Sequence, residues 1–176
     1  MMRSIRFLLP VVAFSLAACD TDSATSPPVD VASLVPSGVA QVVLQRDAGP
    51  EAGLATYTVR VIAHDMPLAA YQGAVTFPMG ALEIVSVVTG ESAEGEQRLA
   101  NAQASEGRIR FAAFATESFE SDVAFRFIVR EASGAVALQA SLDVAGLVNG
   151  QAMEAAQLRA AAGVHDARTG QLIDGR

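Results

Sequence analysis

The sequence predicts an all-β protein, an antiparallel β-sandwich of about eight or nine strands. From residue 39 onward, apolar and polar residues alternate in short segments, as in strands that bury one face. Glycine, proline, asparagine and aspartate separate these segments at intervals of roughly 8 to 12 residues. No long segment repeats its apolar residues with the period of a helix. Together these observations favour two packed sheets joined by short turns.

The composition limits the domain count and the classes of partner. A chain of 176 residues, of which 51% are hydrophobic, is most simply one domain with a targeting segment. Acidic residues outnumber basic ones by 19 to 12, which argues against nucleic acid as a partner, because phosphate binding needs a basic surface. The single cysteine excludes an intrachain disulfide and a cysteine-based zinc site.

The N-terminal segment, residues 1–18, has the features of a secretory signal peptide. Arg3 and Arg6 precede an apolar run over residues 7–16 that is too short to cross a membrane. The sequence Leu-Ala-Ala-Cys that ends at Cys19 resembles the lipobox of bacterial lipoproteins. That resemblance implies cleavage before Cys19, lipidation of its thiol, and anchoring on the periplasmic or outer surface of a bacterial membrane in the cell envelope. An ordinary signal peptide that happens to end near Cys19 is the alternative.

The remaining chain divides by composition into three parts. Residues 19–36 begin with the lipidated cysteine and are rich in Thr, Ser, Asp and Pro, so we expect a mobile tether. Residues 37–162 form the predicted β-sandwich. Residues 163–176 are a polar C-terminal tail or a last hairpin.

The strands are assigned in chain order from the period-two pattern. The predicted strands span residues 39–45, 55–63, 69–77, 82–89, 108–114, 123–129 and 135–148. The central pair is 69–77 and 82–89, and the nearly continuous apolar run of the second predicts a strand covered on both faces. Between them and the next strand, residues 91–107 are polar and predict a loop with one possible helical turn.

The segment after residue 148 gives conflicting signals. Asn149-Gly150 is typical of a two-residue type I′ hairpin, which favours a returning strand over residues 151–161. The alanine, glutamate and leucine of those residues favour a helix by propensity. We expect a strand there, with a helix as the alternative.

Four short motifs in the middle of the chain resemble the cohesin domain. They are Gly73-Ala74-Val75-Thr76-Phe77, Leu82-Glu83-Ile84-Val85, Gly107-Arg108-Ile109-Arg110-Phe111 and Phe125-Arg126-Phe127. The resemblance implies a jelly-roll-like sandwich that binds a dockerin through one exposed sheet face. By position, that face would include Gln72, Ala74, Thr76, Arg108, Arg110 and Phe114. A neighbouring superfamily of carbohydrate-binding modules shares part of these patterns.

The sequence offers no arrangement that favours an enzyme, a cofactor or a metal. His64 and His165 each precede an aspartate, but adjacent residues on a strand point to opposite faces and so do not form a base with its orienting group. There is no nucleophile elbow and no glycine-rich phosphate loop. Two acidic groups could hold calcium but lack the spacing of a dedicated loop, so solvated loops are favoured: Glu91, Glu94 and Glu96, and Glu117, Glu120 and Asp122.

Two binding functions remain. The first hypothesis is a membrane-anchored lipoprotein whose cohesin-like domain binds a dockerin-like protein. The alternative is a carbohydrate-binding module for extracellular polysaccharide, which the lack of tryptophan and the presence of only two tyrosines make less favoured. Four arginines alternate outward on two strands that we expect to share a sheet: Arg108, Arg110, Arg126 and Arg130. They would either form a cationic stripe that binds an acidic partner or serve only as solvent-facing residues.

Overall fold

The computed structural model describes residues 29–131 and 136–173. The predicted signal peptide, Cys19 and most of the predicted tether lie outside the described residues. Within the two described ranges, no helix has the length and apolar character needed to cross a membrane.

The described chain forms eleven strands in two sheets, which confirms the predicted all-β sandwich. The strands are β1 (Ala40–Ala48), β2 (Leu54–Ile62), β3 (Leu68–Thr76), β4 (Leu82–Thr89), β5 (Glu96–Gln103), β6 (Arg108–Ala115), β7 (Val123–Glu131), β8 (Gln139–Leu147), β9 (Leu158–Arg159), β10 (Val164–Asp166) and β11 (Leu172–Ile173). Three single 3-10 turns complete the secondary structure: Val31–Leu34, Ala104–Glu106 and Ala155–Gln157. The count exceeds the expected number because β9, β10 and β11 are only two or three residues long.

The two sheets differ in size and in strand direction. The larger sheet has the order β11-β10-β1-β2-β7-β4, with β9 also paired to β1, and the smaller has the order β5-β6-β3-β8. Strands β9 and β10 run parallel to β1, whereas the other pairs are antiparallel. The core lies between the sheets, where Tyr57 stacks on Phe127 with ring centroids 5.1 Å apart and Phe125 packs 5.4 Å from Phe111 of the opposite sheet.

The predicted central pair is separated in the structure. Strand β3 lies in the smaller sheet and β4 lies at the edge of the larger one, so the Pro78–Gly80 turn carries the chain from one sheet to the other. The prediction that residues 82–89 are covered on both faces is wrong. Strand β4 is the edge strand beside β7 and bulges between Ile84 and Ser86, and its Val85 and Val88 side chains are exposed.

Residues 96–103 form β5, so the predicted loop with a helical turn is wrong over this part. Its inward side chains are Arg98, Ala100 and Ala102, and Arg98 is buried in an ion pair with Glu96. A strand whose core face holds an arginine and two alanines does not show the usual apolar alternation, which is why its sequence resembles a polar loop.

The segment after β8 is neither a long strand nor a helix. The amide of Gly150 donates to the Leu147 carbonyl at 2.9 Å, and the Leu147 amide donates to the Gln151 carbonyl at 2.9 Å. Of the turn residues only Gly150 has positive φ, at 82°, so this is a type I turn followed by a left-handed glycine and not the predicted type I′ turn. The chain then makes one bridge at Ala152, a 3-10 turn and the two-residue β9.

Both ends of the domain extend beyond the predicted boundaries. Val31 and Val35, expected in the tether, are buried against Val43 and Ile62 on the outer face of the larger sheet. The packed domain therefore includes residues before position 37. At the other end, β10 and β11 form a hairpin beside β1, so the described part of residues 163–176 is the last hairpin and not a polar tail.

Candidate functional site

The outward side chains of the smaller sheet form a flat surface, which we call the front face. Strand register places these side chains in four rows that run across β5, β6, β3 and β8. The rows are Gln97–Phe114–Ala70–Gly146, Leu99–Ala112–Gln72–Val144, Asn101–Arg110–Ala74–Ser141 and Gln103–Arg108–Thr76–Gln139. In the two middle strands the small outward residues are Ala70 and Ala74 of β3 and Ala112 of β6.

One half of the front face is mainly apolar, with Gln97 and Gln72 as its polar residues. Leu99 is 67% exposed, Phe114 50% and Val144 54%, and they lie in the first two rows. Neighbouring strands are about 4.8 Å apart, so Leu99 and Val144 span about 14 Å across the sheet. Exposed apolar side chains that cluster on one sheet face mark a surface that another molecule can cover.

The other half of the front face is polar and carries positive charge. Arg110 is exposed and Arg108 is half-buried, and neither has a salt-bridge partner within residues 29–131 and 136–173. Asp143 of β8 is an exposed acidic residue between the rows of Val144 and Ser141, so this part of the front face carries two arginines and one aspartate. The front face is therefore slightly basic in a chain whose net charge is −7.

The six residues predicted for the partner-binding face lie together on the front face: Gln72, Ala74, Thr76, Arg108, Arg110 and Phe114. Four of them are exposed, but Ala74 is only 3% exposed and Arg108 is half-buried, so neither presents much contact surface. Their role in binding stays a prediction. The predicted four-arginine stripe is wrong, because Arg126 and Arg130 lie on β7 of the other sheet.

Two apolar residues of the front face, Leu99 and Val144, were not predicted. Leu99 lies in the segment interpreted as a loop. The period-two pattern of residues 135–148 puts Val144 on the same face as Leu142, but Asp143 is an extra residue in β8, and this bulge inverts the alternation. As a result Leu142 and Ala145 are buried and Val144 points outward.

The outer face of the larger sheet is partly covered by the chain itself. Residues Val31 and Val35 pack on Val43 and Ile62, and the His64 ring donates from Nε2 to the Ala32 carbonyl at 2.6 Å. This contact fixes the N-terminal segment across β1 and β2. The front face has no such cover from the described residues.

The aromatic side chains do not form an open platform for sugar rings. Tyr71 is buried, and its ring packs 4.9 Å from Phe119 at an interplanar angle of 50°. Burial raises the pKa of Tyr71 to about 12. Phe114 is the aromatic residue exposed on the front face, and no second ring within the described ranges stacks beside it.

The two histidine rings contact backbone carbonyl groups. His165 lies 3.1 Å from the Gly170 carbonyl through Nδ1, and His64 binds the Ala32 carbonyl, so each ring contacts backbone and not its neighbouring aspartate. In the part of the chain that the structure describes, no three His, Cys, Asp or Glu side chains gather as a metal site. Glu96, one of the candidate calcium ligands, is instead paired with Arg98 at 2.9 Å.

A second buried polar cluster lies on the inner side of the larger sheet. The Glu131 carboxylate accepts hydrogen bonds from the Arg46 guanidinium at 2.7 Å and from the Tyr57 hydroxyl. Burial acts to raise the pKa of Glu131, but the hydrogen bonds from Arg46 and Tyr57 outweigh it and hold the pKa below its ordinary value.

This cluster predicts acid sensitivity. A carboxylate with a lowered pKa in the folded state adds stability above its unfolded pKa, near 4.5, and loses that contribution as the pH falls through the folded pKa. We expect Glu131→Gln to lower the urea midpoint at neutral pH. We also expect the variant to lose less stability than the wild type between pH 5 and pH 3. Urea denaturation at these pH values checks this. An equally steep acid loss in the variant would contradict the assignment.

Comparisons with known proteins identify the fold. No family model matches the sequence, and no curated protein matches it. Among solved structures, the second type II cohesin module of the ScaA scaffoldin of Acetivibrio cellulolyticus matches with a TM-score of 0.51 and 12% identity, over 72% of this chain and 94% of that one. The cohesin of a type I cohesin–dockerin complex (Coh-OlpA-Doc918) from Clostridium thermocellum matches with a TM-score of 0.52 and 8% identity. That match covers 70% of this chain and 97% of the cohesin chain.

A type II cohesin dyad from the Acetivibrio cellulolyticus ScaA scaffoldin matches with a TM-score of 0.53 and 11% identity. The match covers 73% of this chain and 49% of the dyad. At these identities the likeness concerns the fold, and it agrees with the strand motifs in the sequence. The chain therefore carries a cohesin-like β-sandwich domain.

Proposed function

We propose that this chain is an envelope lipoprotein whose cohesin-like domain binds a protein partner of dockerin type through the front face. The observation that carries the proposal is the exposure of Leu99, Phe114 and Val144 on a flat sheet surface that the rest of the described chain leaves uncovered. Burying such side chains against a partner removes apolar surface from water, which is the main favourable term in protein association.

Two further features support a protein partner. One structural neighbour, the OlpA cohesin of Clostridium thermocellum, was solved in complex with a dockerin. The polar half of the front face offers the Arg110 guanidinium, which can form paired hydrogen bonds with a partner's carboxylate or backbone carbonyls. A flat sheet face with a mainly apolar half and a basic half suits contact with a protein surface. A sugar chain would instead bind best to exposed aromatic rings.

The position of the N-terminal segment supports presentation of the front face away from a membrane. The described chain begins at Val29, whose amide donates to the Thr169 carbonyl at 3.3 Å, and it continues along the outer face of the larger sheet. The chain thus enters the domain on the side opposite to the front face. A lipid on Cys19 would hold the larger sheet towards the envelope surface and leave the front face open to a partner.

The binding proposal predicts that Val144→Glu weakens partner binding by at least about tenfold, because the interface would bury an unpaired carboxylate. Val88→Glu is the matched control, since Val88 is a similarly exposed strand valine, at 59%, on the outer face of the other sheet. Calorimetry with isolated type I and type II dockerin modules gives the affinities, and urea denaturation confirms that both variants fold equally well.

The same variants serve as baits in an extract of the protein's own cells, next to a retention assay on insoluble polysaccharide. We expect a protein that the wild type and V88E retain and V144E loses. Retention on polysaccharide without any protein ligand, or a loss of binding in V88E and not in V144E, would contradict the proposed face.

The lipoprotein proposal predicts that Cys19→Ser moves the protein from the membrane fraction to the soluble extract. The substitution removes the thiol that carries the lipid, and without acyl chains the domain has no strong membrane affinity. Fractionation and intact-mass measurement of the wild type check this. A wild-type protein with no lipid mass increment would instead indicate an ordinary signal peptide.

A further inference from the structure

The charges of the front face are separated across the sheet. Arg108 and Arg110 belong to β6, whereas Asp143 belongs to β8, and β3 lies between these two strands. The other outward residues of the four rows are uncharged. Because two strand spacings separate β6 from β8, the positive and negative sides lie about 10 Å apart. The front face is therefore positive along β6 and negative at β8.

The domain itself does not neutralise these charges. Arg110 and Asp143 are both exposed, and neither forms an ion pair within residues 29–131 and 136–173. Elsewhere in these ranges, four arginines do pair with acidic side chains: Arg46, Arg60, Arg98 and Arg130. The guanidinium of Arg110 and the carboxylate of Asp143 can therefore pair with charges that a partner supplies.

A partner that covers the apolar half of the front face also reaches both charges. Asp143 precedes Val144, and the bulge leaves both residues exposed. Arg110 is two residues from Ala112 on the same side of β6, about 7 Å along the strand. Contact with Val144 and Ala112 therefore removes water from around both charges. A charge that loses water without gaining an opposite charge weakens binding.

We propose that the front face selects a protein partner that carries an acidic side chain for Arg110 and a basic side chain for Asp143, about 10 Å apart beside its apolar residues. Such a partner pairs both charges. A partner with the same apolar residues and the reversed charges would place like charges together, which costs binding free energy and gives specificity. This inference rests on the proposed function, since it concerns the partner of the same surface.

The test reverses the two charges singly and together. Arg110→Glu and Asp143→Arg each bring like charges into contact with the partner, so we expect each variant to bind at least about tenfold more weakly than the wild type. The double variant R110E/D143R keeps the net charge of the front face but reverses its two sides, and it should also bind at least about tenfold more weakly. Arg126→Glu is the matched control, because it makes the same change of charge at an exposed arginine of the other sheet and should keep wild-type affinity.

Calorimetry gives the affinities, with a dockerin module that binds the wild type or with the purified protein retained from the cell extract. Urea denaturation shows whether the variants fold equally well. A double-mutant cycle then locates the acidic group of the partner, because changing that residue to its amide should weaken binding to the wild type and not to R110Q.

The inference is overturned if R110E/D143R binds as the wild type does, which would mean that only net charge matters, or if R110E and R126E weaken binding equally. Failure of the proposed function gives a different result. In that case V144E binds as well as the wild type, or the wild type binds neither a dockerin module nor a protein from the extract, and the inference falls with it.

Discussion

Arg98→Ala is expected to lower the free energy of unfolding by about 3–5 kcal/mol, because it leaves a buried carboxylate without its counter-charge. The Arg98 and Glu96 side chains are only 1% and 4% exposed, so water screens this ion pair little. The variant also loses the hydrogen bond to the Ser121 carbonyl and the contact with the Phe119 ring. Urea denaturation at neutral pH measures the change.

Arg130→Ala provides the comparison for this prediction. Arg130 pairs with Glu83 at 3.2 Å, but the two side chains are 59% and 70% exposed, and exposed pairs contribute between zero and about 1 kcal/mol. If the two arginine variants were equally stable, Arg98 would not hold the buried carboxylate as described.

Gly73→Ala is expected to destabilise the smaller sheet by about 3 kcal/mol or more. A methyl group at Gly73 would collide with the Ser141 carbonyl oxygen of β8 and would lie 2.6 Å from Cζ of the buried Phe111 ring. Both neighbours are fixed, one by the β3–β8 ladder and the other by the core, so the strand itself would have to move. Thermal and urea denaturation of the variant measure the cost.

Gly146→Ala is the matched substitution in the adjacent strand. Its new methyl group would find its nearest neighbours at 3.8 Å, an ordinary contact distance. We therefore expect G146A to stay within about 1 kcal/mol of the wild type. Equal losses in G73A and G146A would mean that the close approach of β3, β8 and the Phe111 ring is not as the structure has it.

Strands with apolar alternation could be predicted from the sequence because their core faces are built from large apolar side chains. In β7, Phe125, Phe127 and Val129 face the core as the period-two pattern indicates. The pattern tells which face of a strand is buried but not which sheet the strand joins. For that reason β3 and β4 were taken as a pair, and the arginines of β6 and β7 as one stripe.

The candidate site could be predicted only in part because its most exposed residues depend on local exceptions to the alternation. Val144 turns outward through the bulge at Asp143, and Leu99 lies on a strand whose core face holds Arg98. Neither event has a strong sequence signal. The β3 and β6 positions of the front face were predictable because residues 70–76 of β3 and 108–114 of β6 pair with one another in an unbroken register.

The front face gives the domain one surface for a partner and leaves the other sheet to the N-terminal segment. The most direct test is to map the NMR amide shifts of the isotope-labelled protein as a binding partner is added. The partner is a dockerin module that binds in the calorimetric assay, or the protein retained from the cell extract. The account predicts that the shifts centre on the row of Leu99, Ala112, Gln72 and Val144. Shifts centred instead on the row of Thr58, Arg126 and Val88, across the larger sheet, would contradict it.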